Sequence, residues 1–190
     1  MEKEAAAPST ADAAPCVVTA PKKKVAIVGF SQHKSEAPFD PKLGWEIWGL
    51  NDLYEAIPRW DRWFEMHGDN QIKDYCGRKQ GKPYLQGLSE LKCDVWMQHP
   101  RLEVPNSKEY PIKEVIAKFG DYFTNSISYM LAMAIMEKFE TIGVWGVDMA
   151  QDSEYGHQRP SCEYMLGYAR GAGIEVILPK TSDLLKMRFL

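Results

Sequence analysis

Lys24-Val25-Ala26-Ile27-Val28 running into Gly29-Phe30-Ser31-Gln32-His33 is the stretch on which the fold turns. Val25 to Val28 are apolar without a break. An unbroken run of this kind suits a strand covered on both faces. It stops at a glycine followed by polar residues, and the same pattern recurs down the chain. Trp45-Glu46-Ile47-Trp48-Gly49-Leu50 runs into Asn51-Asp52, and Arg62-Trp63-Phe64-Glu65-Met66 into His67-Gly68-Asp69. Asp94-Val95-Trp96-Met97-Gln98 runs into His99-Pro100-Arg101, and Ile142-Gly143-Val144-Trp145-Gly146-Val147 into Asp148. A last apolar run, Ile174-Glu175-Val176-Ile177-Leu178, is stopped by Pro179.

Between these runs the hydrophobic spacing turns helical. Ile112, Val115, Ile116 and Phe119 fall at i, i+3, i+4 and i+7, after Pro111 and before Gly120. A second helix is expected from Thr124-Asn125-Ser126, with Ile127, Met130, Leu131, Ala134 and Ile135 on its apolar face. A third is expected from Pro160 or Ser161, with Cys162, Met165, Leu166 and Ala169 inward and Gly171 and Gly173 closing it. Short helices are expected near 52–57 and 84–91. Residues 100–111, with three prolines, read as loop. Strands alternating with helices predict an α/β fold: a single Rossmann-like, three-layer domain with a mostly parallel sheet of about six strands.

The domain is expected to span 22–190. Residues 1–21, rich in Ala, Pro, Ser and Thr, read as a disordered tail; they lack the apolar core of a signal peptide and the acid-poor character of a transit peptide. A formal net charge of −3 gives no strong nucleic-acid signal. No apolar run approaches the roughly 20 residues that span a bilayer. Cys16, Cys76, Cys93 and Cys162 form no close pair, so a reducing compartment, the cytoplasm, is expected.

Parallel strands bring their carboxyl ends to one edge, and in open α/β sheets ligands bind in the crevice there. Gly29 permits close backbone approach and Ser31 offers a hydroxyl, although neither GxGxxG nor a P-loop is present. Asn51 and Asp52 can bond a base or ribose, or cap a turn. Thr124, Asn125 and Ser126 open a helix whose N-terminus favours an anion. Asp148 could orient a ribose, bind Mg²⁺ through oxygen, or cap the next turn. His157 is a candidate general base in the polar stretch 151–160, and Arg159 a planar fork for phosphate. His33, His67, Asp69 and His99 join the same edge. The spacing of His67 and His99 fits no short zinc motif, so no metal site and no cofactor is assigned, with Mg²⁺ left open. Arg59-Trp60-Asp61-Arg62-Trp63 could form an aromatic-basic stripe but more naturally frames the opposite edge of the sheet.

The segment from Tyr122-Phe123-Thr124-Asn125-Ser126-Ile127-Ser128-Tyr129 to Phe139-Glu140-Thr141-Ile142-Gly143-Val144-Trp145-Gly146-Val147-Asp148-Met149 resembles a known block. That block is a T-[SN]-[GS]-x-x-x helix followed by a GF-x-x-I-x-x-x-G-[VI]-D strand. It occurs in bacterial sialyltransferases that use CMP-sialic acid and in the related archaeal-type 6-hydroxymethylpterin pyrophosphokinases. Both have a Rossmann-like nucleotide-binding domain. Gly29 and Ser31 partly match their first G-x-G-P-S loop, Asn51 matches an Asn after their second strand, and His157 lies where a later His follows. The loop here lacks the second glycine and the proline. The whole chain is also similar to small single-domain proteins of bacteriophage genomes.

The resemblance implies a nucleotide-binding transferase. The leading expectation is a glycosyltransferase-like enzyme with a nucleotide or nucleotide-sugar ligand, His157 and Asp148 as catalytic residues, and Asn51, Asn125 and Ser126 on the nucleotide. The alternatives are a non-catalytic module that sequesters a nucleotide or nucleotide-derived signal, and a pyrophosphokinase-like transfer. An interaction subunit using the aromatic surface near Trp60 and Trp63, homo-oligomeric or bound to another partner, is also open.

Overall fold

The computed structural model describes residues 22–78, 83–149 and 153–186. The expected N-terminal tail, 1–21, lies outside them. The strands are β1 (Lys24–Val28), β2 (Trp45–Leu50), β3 (Arg62–Glu65), β4 (Asp94–Met97), β5 (Ser107–Glu109), β6 (Thr141–Trp145) and β7 (Glu175–Ile177). The helices are α1 (Asp69–Arg78), α2 (Tyr84–Ser89), α3 (Ile112–Phe119), α4 (Ser126–Met136) and α5 (Ser153–Gly171). All seven strands are parallel, in the order β5-β4-β3-β2-β1-β6-β7. This is the expected Rossmann-like sheet with one more edge strand.

The chain walks outward from β1 to β5, and α3 and α4 then return it to the other side of β1. The strand order therefore reverses between β1 and β6, which opens a crevice beyond their carboxyl ends. Helix α4 packs on β1 and β3 and is covered in turn by α5. It is buried at nearly every position, including Ile127, Met130, Leu131, Met133 and Ala134. A helix apolar on all sides is stable only when enclosed in this way. Under it lie Trp48, Phe64 and Phe139, all fully or almost fully buried, while Trp63 packs against Tyr54 and Trp60 on the other face of the sheet. Trp48 meets Phe139 edge-on, with ring centres 5.4 Å apart.

Several sequence expectations are corrected. Pro100, Pro105 and Pro111 hid β5, because a three-residue edge strand fits between prolines that a central strand would exclude. Helix α1, in a polar stretch without clear periodicity, was not foreseen. Helix α5 starts at Ser153 and takes Pro160 into its interior. A proline suits a first turn, which is why Pro160 reads as a start. Trp63 is buried in the core, and Trp60 packs edge-on against it at 5.3 Å, so this pair forms no exposed aromatic docking surface. The charges around the pair do frame the edge opposite the crevice. Arg62 reaches Glu137 at 2.5 Å and Glu46 at 3.0 Å while lying over the Trp48 ring, and Asp61 accepts from the Ile47 amide at 2.8 Å.

Cys93 is half-buried and Cys162 buried, and both are free thiols. Burial pushes them up to about 11 and about 12 respectively, so both are unreactive at neutral pH.

The switch point is closed by two glycines. The Gly29 amide donates to the Trp145 carbonyl and the Ser31 amide to the Gly146 carbonyl, both at 2.8 Å. A Cβ on Gly29 would lie 2.6 Å from the Gly146 oxygen. Gly146 has φ +68°, and a Cβ there would strike the Gly29 oxygen. Gly29→Ala and Gly146→Ala should each lower stability by about 1–3 kcal/mol, measured by urea unfolding. Gly120→Ala, whose added methyl meets nothing within 4 Å, should cost less through its positive φ alone.

Candidate functional site

A cavity of about 830 Å³ occupies the crevice at the switch point. Gly29 and Ser31 after β1, Asn51 after β2, Met66 and His67 after β3, and Gly146 to Met149 after β6 form its floor. Phe123 to Ile127 at the start of α4 form one wall. The edge at which the sequence gathers its polar clusters is thus one physical site.

Three buried polar atoms in this cavity have no hydrogen-bond partner among the described residues: Ser31 Oγ, Asn51 Oδ1 and Asp148 Oδ1. Leaving such a group unsatisfied costs about 1–3 kcal/mol, so a polar ligand or ordered water is the natural complement. Asn51 adopts φ +52° directly after β2. This left-handed geometry, which Asn tolerates better than most residues, is braced by its own backbone. The Asn51 amide donates to the Phe64 carbonyl at 3.0 Å, and its carbonyl accepts from Trp63 Nε1 at 2.9 Å. Asp148 Oδ2 lies 3.4 Å from His33 Nε2, and His33 Nδ1 lies 3.5 Å from Glu36. His33 therefore flanks the Asp148 carboxylate.

Thr124 and Asn125 have structural bonds of their own. Asn125 Oδ1 caps α4 by accepting from the Ser128 amide at 2.9 Å, and its Nδ2 donates to the Gln158 carbonyl at 2.7 Å. Thr124 Oγ1 lies 2.7 Å from Ser161 Oγ. These contacts pin the start of α4 to α5 and hold Ser126 and Ile127 against the cavity.

At the β3 side, Glu65 is fully buried although it carries a carboxyl group. Its Oε1 accepts from the His67 amide at 2.9 Å and sits 2.7 Å from His67 Nδ1. The bond to Glu65 raises the His67 pKa above its ordinary value; burial opposes the shift, and the charges of Glu65 and Asp52 add to it. Asp52 thus acts on the site through its field, without lining the cavity. Asp69, at the start of α1, is ion-paired to Arg101. Asp69 and the exposed His99 line a shallow hollow that shares Gln71 and Gln98 with the main cavity.

His157 is exposed on α5, and its neighbour Gln158, not His157 itself, contributes to the cavity wall. Arg159 donates through Nε to Glu163 at 2.8 Å and through Nη2 to the Asp183 carbonyl at 2.6 Å. Its fork is committed to holding the C-terminal segment, not to the cavity. Among the described residues no three His, Cys, Asp or Glu side chains cluster as a metal site. Sequence reasoning missed Glu65, Gln71, Gln98 and the stacked Phe123–Tyr129 pair, whose rings are 4.7 Å apart. A carboxylate inside the apolar run Trp63-Phe64-Glu65-Met66 was the available signal for Glu65.

No helix among the described residues is long and apolar enough to cross a membrane. No protein-family model and no curated protein sequence matches the chain. Solved structures do match in fold. The sialyltransferase CstII from Campylobacter jejuni in complex with cytidine-5'-monophosphate aligns with TM-score 0.54 at 15% identity, over 88% of this chain and 88% of that one. Its complex with the substrate analogue CMP-3FNeuAc gives 0.53 at 16%, over 82% and 79%. The monofunctional alpha-2,3-sialyltransferase Cst-I from the same organism gives 0.52 at 13%, over 88% and 80%. The pyrophosphokinase and bacteriophage resemblances gain no support from these matches. At such identities the likeness is one of fold: this chain has the Rossmann-like fold of the Campylobacter sialyltransferases.

Proposed function

We propose that the chain is a nucleotide-binding transferase of the glycosyltransferase type, using a nucleotide-activated donor. The observation that carries this reading is the trio Ser31 Oγ, Asn51 Oδ1 and Asp148 Oδ1, all buried and unpartnered in one switch-point cavity. Nucleotides place phosphate and ribose at this position in open α/β sheets. Asn51 holds the base or ribose. Asp148 orients the ribose or a metal-bound phosphate, since Mg²⁺ needs only one or two carboxylates beside phosphate oxygens. Ser126, at the positive end of the α4 dipole, faces the anion. The neighbours solved with CMP and a CMP-sugar analogue make cytidine nucleotides the first to test. Two free thiols agree with a reducing, cytoplasmic setting.

A second reading, a module that sequesters a nucleotide without turning it over, has its own support. His157 stands outside the cavity wall, and the close approach of Gly29 to Gly146 serves packing as much as phosphate.

CMP-, UDP-, GDP- and ADP-sugars at 100 times Kd should include one that stabilises the protein by about 2.7 kcal/mol, a rise of roughly 5–10 °C in Tm. A flat thermal-shift response to all four would overturn nucleotide binding. Asn51→Ala should weaken the responding nucleotide by about tenfold, as the loss of a hydrogen bond does, and should also lower the Tm of the free protein, because alanine tolerates the φ of +52° less well; calorimetric titration at a temperature where both proteins are folded reads the binding directly. Turnover of the bound donor separates the two readings.

A further inference from the structure

The pair of buried Glu65 and half-buried His67 has no part in nucleotide holding as described above, yet His67 lines the same cavity. A fully buried carboxylate with one oxygen unpartnered is costly to keep. Its other oxygen grips both the main chain and the ring of His67, at 2.9 and 2.7 Å. With Nδ1 held on Glu65, the ring's orientation is set and Nε2 becomes its proton-exchanging atom. A carboxylate behind an imidazole in this way fixes the tautomer and stabilises the imidazolium once a proton arrives. The pair also sits at a useful distance. β3 is two strands from β1, and strands lie ~4.8 Å apart. The end of β3 is thus roughly 10 Å along the sheet edge from the Ser31 loop, about the reach of a sugar extending from a phosphate.

We infer that His67 is the general base of the transfer and that Glu65 is its positioning residue. This inference rests on the nucleotide-donor reading. The acceptor is a hydroxyl-bearing molecule. Its oxygen forms the new bond to the anomeric carbon as its proton passes to His67 Nε2. The anomeric carbon–oxygen bond breaks, and its electron pair leaves on the nucleotide phosphate. The imidazolium is held by Glu65 until it releases the proton to solvent. Among the described groups, Glu65 on β3 and Asp52 after β2 both favour protonation of the ring. Asp69, two residues on, is neutralised by Arg101, and Gln71 and Gln98 are uncharged.

The test measures nucleotide binding and nucleotide release in parallel, with CMP-N-acetylneuraminic acid and the UDP-, GDP- and ADP-sugars as donors and lactose or water as acceptor. His67→Gln should lower kcat by 10²–10⁴-fold while the Kd for the nucleotide changes less than about threefold. Glu65→Gln should lower kcat less and move the acidic limb of the kcat–pH profile to lower pH. Carbon-detected NMR should show the His67 ring titrating at lower pH in the same variant. The NMR shift needs no turnover, and circular dichroism confirms that both variants fold.

Unchanged kcat in folded His67→Gln overturns the inference, as does an equal loss of nucleotide binding. A loss produced by His157→Ala and not by His67→Gln overturns it as well. An unmoved His67 titration in Glu65→Gln overturns the positioning role. Nucleotide binding without release from any donor overturns the base while leaving the binding site standing. Absence of binding overturns the nucleotide reading itself.

Discussion

The contact between the Gly29 and Gly146 backbones is the constraint on which the rest of the structure depends. β1 and β6 are the neighbours between which the strand order reverses, and their chains leave the sheet in different directions. They can part only after running side by side to the last residue, with Val28 opposite Trp145. The two glycines let the main chains touch where side chains would hold them apart. The crevice begins directly beyond that contact. Ser31 is tied to Gly146 through its amide, and Asp148 follows two residues later. The depth and floor of the cavity are thus consequences of a packing requirement between β1 and β6. Gly29 meets that requirement first; any backbone approach to a ligand comes second to it.

Helix α4 is the other half of the arrangement. It is buried almost throughout, so its position over β1 and β3 is set by the core. Its start is pinned to α5 by Asn125, Thr124 and Ser161. The polar residues that open this helix therefore serve two ends. Thr124 and Asn125 hold the wall in place, and the wall presents Ser126 to the cavity. A tightly packed scaffold with unsatisfied polar atoms facing inward is how a binding site is kept preorganised.

The site divides along the sheet edge. Ser31, Asn51 and Asp148 follow β1, β2 and β6, around the point where the strand order reverses. Glu65 ends β3 and His67 follows it, further out along the edge. Among the described residues Glu65 is the one fully buried carboxylate, and it ends a strand that begins with Arg62 and has Trp63 and Phe64 at its middle. Histidines shifted as His67 is by its bond to Glu65 gather at functional sites more often than chance would place them.

The chain's own pattern of apolar runs, each ending in polar residues, determined the parallel sheet, the edge where the cavity opens and part of its lining. Those features follow from local periodicity, because a strand covered on both faces must be apolar throughout and must end where the chain meets water. Strand β5 and the first two turns of α5 were not legible. A short edge strand between prolines and a polar helical segment gain their stability from neighbours and carry no period of their own. The pairing of Glu65 with His67, the commitment of Arg159 to Glu163 and Asp183, and the exposure of His157 were decided only by the tertiary structure. A sequence lists the groups able to bond or ionise, but which of them meet, and which face a cavity, is set by packing between residues distant along the chain.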